Sequence, residues 1–153
     1  MRPIKSNYNS SRVKVITLGD VNKTLSLPES GATIIITDDA TVDRTITLPT
    51  LRGTAGARGA YFRIVWGVAS DTAATIVQSA AANELIHGSV LWYDVDGTRG
   101  MPSDETANGT SHRTLTVNDD IQAGTMIELI AGDTSWVVAN SKIIAEEAPA
   151  WGT

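Results

Sequence analysis

The chain has 153 residues and no cysteine, and its 12 Lys plus Arg against 17 Asp plus Glu give a formal charge of −5. That length fits one domain able to bury roughly two thirds of its unfolded surface. The missing thiols exclude a disulfide framework, a thiolate metal site and a cysteine nucleophile, and the acidic balance argues for no nucleic acid and no membrane as partners.

Residues 1–12, MRPIKSNYNSSR, show no apolar period and carry Arg2, Lys5 and Arg12 with no acid. They read as an extended N-terminal arm, either a disordered terminus or an arm that docks on a partner. The arm lacks the continuous apolar stretch of a signal peptide. The longest apolar runs, such as YFRIVWGVA, fall far short of the ~20 residues that span a bilayer as a helix.

A single β-domain is expected over 13–144. RVKVITL alternates apolar and polar residues, KTLSLP puts Leu25 and Leu27 on one face, and ATIIITDD is β-branched throughout. DRTITLP puts Ile46 and Leu48 on one face and Thr45 and Thr47 on the other. Thr, Ile and Val suit a pleated surface and lose rotamer freedom in a helix. TLSLP and TITLP are near copies, each stopped by a proline that cannot donate to a ladder. They look too short and isolated for a solenoid repeat.

TLRGTAGARGA then reads as a mobile glycine loop. It lacks the Gly-Lys-Ser/Thr ending and the following helix of a phosphate loop. YFRIVWGVA is the strongest strand and is expected to pair with ATIVQSA across SDTA. AANELIHGSV holds one helical turn or a short strand ending at Gly88, and LWYDVDG enters an Asp-Gly turn. Residues 98–111 form the longest irregular stretch. RTLTVND, TMIELIAGD and SWVVANSKII close the domain, the last two joined as a hairpin through AGDTS. Residues 145–153 read as a polar C-terminal tail bearing Trp151, a side chain with no core near it in sequence. The pattern as a whole predicts an all-β fold: an antiparallel β-sandwich or jelly-roll-like barrel of about ten short strands with extended terminal arms.

Sites of chemistry are thinly supported. His87 and His112 are the only histidines and lack metal-ligand spacing. Asp94, Asp96 and Glu105 occupy positions one, three and twelve of a calcium loop, but Arg99 stands where its glycine is needed. Asp38-Asp39 and Asp119-Asp120 are neighbours that point to opposite faces of a strand, so neither pair can flank one substrate. No catalytic residue, metal site or cofactor is assigned, and no enzyme activity is expected. Trp66 and Trp136 read as core. The partner-binding candidates are Arg2, Lys5, Arg12 and Trp151.

The order ITLP, glycine loop, YFRIVW, ATIV, NELIHG and DDIQAGTMIELIAGDTSWVV resembles small β-rich virion proteins of tailed bacteriophages. The resemblance runs from about Thr45 to Ala139, and its most telling piece is the closing hairpin IELIAGDTSWVV. It implies a trimeric virion protein: either a head decoration (cement) protein or a module of a tail fibre or spike. A short chain that is one compact domain favours decoration. The expected partners are then the major capsid protein and two further copies in a homotrimer. The expected place is the capsid surface of the virion, after synthesis in the host cytoplasm. The alternative is a tail module that binds host-surface carbohydrate.

Overall fold

The computed structural model describes residues 13–96 and 103–153. In chain order its strands are β1 (Val15–Leu18), β2 (Lys23–Thr24), β3 (Thr33–Ile36), β4 (Arg44–Thr47), β5 (Tyr61–Trp66), β6 (Thr75–Gln78), β7 (Leu85–His87), β8 (Ser89–Asp94), β9 (Ser103–Thr106), β10 (Thr114–Val117), β11 (Met126–Ala131), β12 (Ser135–Ala145) and β13 (Ala150–Gly152). A single 3-10 turn, Leu27–Glu29, is the helical element among the described residues. The larger sheet runs β1-β3-β5-β11-β12-β8-β9, with β7 also against β12; the smaller runs β13-β10-β6-β4-β2. The two pack as a β-sandwich and do not close into a barrel.

The first six strands alternate between the sheets, so each connection crosses the sandwich. β1, β3 and β5 stack parallel in the larger sheet, and β2, β4 and β6 do the same in the smaller. This winding makes both sheets mixed, where alternating short strands had pointed to antiparallel pairing. It also revises the reading of the two Leu-Pro segments, which are successive turns of one coil. Lys23 lies beside Ile46 and Thr24 beside Thr47, two positions further on than the copies align by sequence. An even slip keeps every side chain on its own face, so Leu25, Ile46 and Leu48 all enter the core.

Side-chain oxygens stitch one winding to the next. Asp20 accepts from the Thr41 amide at 3.1 Å and its hydroxyl at 2.8 Å. Asn22 accepts from the Thr45 amide at 2.7 Å. Asp39 accepts from the Ser70 hydroxyl at 2.9 Å, and Asp43 from the Ala74 amide at 3.1 Å. These bonds satisfy turn amides that no ladder reaches. They also explain why β5 and β6 do not form the expected hairpin. SDTA is held to the preceding winding and carries the chain across to the smaller sheet, where β6 pairs with β4 and β10.

The glycine loop forms three successive turns. The Thr54, Ala57 and Ala60 amides donate to the Leu51, Thr54 and Ala57 carbonyls. Gly53, Gly56 and Gly59, third in each turn, have φ of 71°, 78° and 80°, as a type II turn requires. Leu51, Ala57 and Ala60 are buried. The loop is anchored by Glu84, itself fully buried, whose Oε1 accepts from the Leu51 amide at 2.8 Å and the Arg52 amide at 2.9 Å.

The second half is antiparallel around β11. The AGDTS hairpin forms as expected, with Gly132 donating to the Ser135 carbonyl at 2.8 Å. The long β12 takes β7 alongside its first half and β8 alongside its second, both parallel. Gly88 makes the step between them: its φ is 113°, and a Cβ there would sit 3.2 Å from the Val138 carbonyl. Within the stretch expected to be irregular, Ser103–Thr106 pairs with β8 as β9. The residues expected as a C-terminal tail, 145–153, instead supply the end of β12 and all of β13, an edge of the smaller sheet. The core gathers Trp66, Trp136, Phe62, Ile34, Ile64 and Leu129 from the larger sheet against Ile46, Val77 and Leu115 from the smaller. Trp66 and Trp136 are therefore core residues, as their apolar strands predict.

Candidate functional site

The outward positions of the larger sheet form the most continuous candidate surface. Strand register aligns Tyr61, Ile130, Val137 and His87 in one row across β5, β11, β12 and β7. Ile130 and Val137 are 40% and 41% exposed, although both lie mid-sheet. A parallel row of half-buried apolar residues holds Ile35, Val65 and Met126 on β3, β5 and β11.

Between the apolar rows lies one ion pair. Arg63 Nε donates to Glu128 Oε1 at 2.6 Å, and its second nitrogen reaches the same oxygen. The Tyr61 hydroxyl, first, and then Arg63 hold the Glu128 carboxyl below its ordinary range. Burial, and then Glu128, push the Tyr61 phenol up. Both charges are thus already matched within the chain. Covering this ion pair strands neither of its charges, which is the usual obstacle to burying a charged surface. Lys142, exposed and opposite Met126 on β12, adds a cation beside the second row.

Four to five strands at ~4.8 Å spacing and three rows of side chains give a patch of roughly 300 Å². A standard interface covers about 800 Å² on each partner. One copy's face alone therefore makes a weak contact, and strength must come from several linked copies or from added arms.

Of the sequence-predicted partner residues, Arg2, Lys5 and Arg12 lie outside the described residues. Trp151 is brought onto its own domain. It sits in β13, packs against the core, stacks on His112 with ring centroids 6.0 Å apart, and donates from Nε1 to the Glu105 carbonyl at 3.2 Å. His112 in turn accepts the Asn108 amide at Nδ1. The bond to Glu105 ties β13 to β9, a long-range contact that sequence spacing cannot reveal.

The calcium-loop reading loses its geometry. Glu105 lies opposite Val90 in the β8–β9 ladder, four strand positions or about 13 Å from Asp94. Calcium ligands sit within about 2.6 Å of the ion, so these two carboxylates cannot share one. Among the described residues no group of three His, Asp or Glu is placed to hold a metal. His87 lies on the outer row.

Sequence reasoning missed the end of the sandwich where the windings turn. Asp20, Val21, Asn22, Val42, Asp43 and Arg44 line a cleft there of about 140 Å³. Arg44 is fully buried, and its guanidinium donates to the Gly19 carbonyl at 2.9 Å and the Asp38 carbonyl at 3.4 Å. Burial pushes its pKa down, while Asp20, Asp38 and Asp39 resist that shift. Bonds from Thr41 hold Asp20 below its usual range, and the Ser70 hydroxyl does the same for Asp39. Only the Asp-rich turns hinted at this cluster, since its residues are far apart in sequence.

No family model, curated protein or solved structure matches this chain.

Proposed function

We propose that this protein is a capsid decoration (cement) protein that binds the assembled head of a tailed bacteriophage as a homotrimer and stabilises it. The observation that carries the reading is the outer face of the larger sheet, where two apolar rows flank an ion pair already neutralised within the chain. Such a face is built to be covered by protein. The resemblance of residues 45–139 to small phage virion proteins supplies the identity of the surface covered.

Adhesion is the activity in this reading, and no bond is made or broken. A ligand that binds the assembled lattice and not its free subunits stabilises the lattice by mass action. Threefold symmetry triples the modest face and matches it to a symmetric shell. The test mixes purified protein with undecorated heads and follows co-sedimentation and heat resistance. Gain of both supports the clamp. Protein that stays in the supernatant and leaves head stability unchanged overturns it. The alternative, a tail module binding host carbohydrate, draws on the same resemblance. It would be favoured by images that place the protein at the tail tip.

A further inference from the structure

The turn between β9 and β10 holds an arrangement that adhesion does not use. Asn108 and Gly109, both exposed, form the only Asn-Gly pair in the chain. The Asn108 side-chain amide is gripped at both ends. Its Oδ1 accepts from the Thr110 amide at 3.0 Å and from the Ser111 amide at 3.0 Å. Its Nδ2 donates to the Ser111 hydroxyl at 2.8 Å. An atom that takes two backbone N–H groups must be the amide's oxygen, so the orientation of the group is fixed. The Asn108 backbone amide, bonded to His112 Nδ1 at 3.1 Å, holds the start of the turn.

The same grip is what an acyl transfer needs. Two N–H donors draw electron density from the carbonyl carbon and stand ready for the charge its oxygen gains when that carbon is attacked. A hydroxyl against the amide nitrogen is placed to give it a proton as it leaves. The adjacent nucleophile is the backbone nitrogen of Gly109, whose N–H meets no acceptor among the described residues. Gly109 has a φ of 72° and no Cβ to bar a close approach. A Cβ there would have only His87 Nδ1, at 3.8 Å, within 4 Å.

We propose that Asn108 is a self-modifying site, at which this turn converts its own asparagine to an aspartyl or isoaspartyl residue through a succinimide. The Gly109 nitrogen forms a bond to Asn108 Cγ, and the Cγ–Nδ2 bond breaks. Solvent hydroxide takes the Gly109 amide proton. The Ser111 hydroxyl gives a proton to Nδ2 and regains one from water, and ammonia leaves. Water then opens the imide at either carbonyl and leaves a carboxyl, with no oxidant or reductant involved. The new charge lies in the turn that seats His112 against Trp151, beside His87 at the end of the outer row. An isoaspartyl link also adds a methylene to the backbone, so the turn does not return to its starting geometry. The chemistry takes nothing from the virion reading and can fail separately from it.

The test incubates the full chain in warm, mildly alkaline buffer, folded and in urea, and follows every asparagine by peptide mapping and mass spectrometry. Asn108 is expected to convert faster than any other asparagine and to yield isoaspartyl product, as ring opening requires. It converts about tenfold faster in the folded chain than in urea, because only folding holds the bonds to the reacting amide. Ser111→Ala removes the contact to Nδ2 and slows conversion about tenfold, while Ser111→Thr keeps the hydroxyl and the rate. Unchanged thermal melting shows that the variants are folded, and the comparison of folded and urea-treated parent decides the matter without them. Conversion no faster in the folded chain than in urea overturns the proposal. So does a Ser111→Ala variant that converts like the parent, or product that is aspartyl alone, the mark of direct hydrolysis without the ring.

Discussion

Glu84→Ala tests the packing logic of the fold most sharply. Glu84 is fully buried, yet it is spent on one task, accepting the Leu51 and Arg52 amides with a single oxygen. Its other oxygen has no hydrogen-bond partner among the described residues. A bond to a charged acceptor contributes about 1.5–3 kcal/mol, and an orphaned buried amide costs about 1–3 kcal/mol. Alanine removes both bonds and leaves the Leu51 amide buried without an acceptor. It also relieves the cost of burying a half-satisfied carboxylate. The net loss is about 3 kcal/mol, or a fall in Tm of about 6–12 °C for a domain of this size. Glu84→Gln keeps an oxygen for the two amides and loses about 1 kcal/mol, since neutral bonds are roughly half as strong. Urea unfolding gives the energies, and amide exchange at Leu51 and Arg52 localises them. An alanine variant within about 0.5 kcal/mol of the parent would refute the anchor, as would glutamine as damaging as alanine.

Two further perturbations probe the smaller sheet. The Lys23 ammonium, then the Ser26 hydroxyl and amide, bring the Glu29 carboxyl down from 4.5 to about 2. A depressed acid contributes its stability in full above about 4.5 and loses it as pH falls towards about 2. The pair is partly exposed, so Glu29→Gln should cost about 1 kcal/mol at pH 7 and progressively less by pH 3. An equal cost at both pH values in urea titrations would contradict this. Trp151→Ala removes the His112 stack and the bond to the Glu105 carbonyl. It should cost about 2–3 kcal/mol and raise amide exchange in β10, with unchanged exchange in β11. Were Trp151 an anchor for a partner, its loss would leave the isolated domain as stable as before.

The strands were legible because their period is local. ATIII, YFRIVW and the AGDTS hairpin announce themselves by alternation and turn residues, and the tryptophans of β5 and β12 sit in plainly apolar runs. Their partners were not legible. Whether ATIVQSA returns beside YFRIVW or crosses to a second sheet depends on hydrogen bonds that Ser70 and Ala74 donate to Asp39 and Asp43, some thirty positions away. A carboxylate in a turn looks the same in sequence whether it stitches windings or faces water. The surroundings of Trp151 were hidden for a related reason: nothing in AEEAPAWGT shows that His112 lies beside it. The outer row of Tyr61, Ile130, Val137 and His87 exists only once four strands are set in register. Ile130 and Val137 read individually as ordinary members of apolar strands.

The adhesive claim rests on that row, so charged substitutions within it are the direct measurement. Ile130→Asp and Val137→Asp alter side chains that are 40% and 41% exposed, so each should change stability by under about 1 kcal/mol. Placed at the centre of a covered face, each buries an unpaired carboxylate and should weaken binding to undecorated heads at least about thirtyfold, near 2 kcal/mol. Co-sedimentation isotherms of parent and variants, with melting curves run in parallel, decide the matter. The account predicts variants that melt like the parent and fail to pellet with heads. Variants that pellet as well as the parent would contradict it.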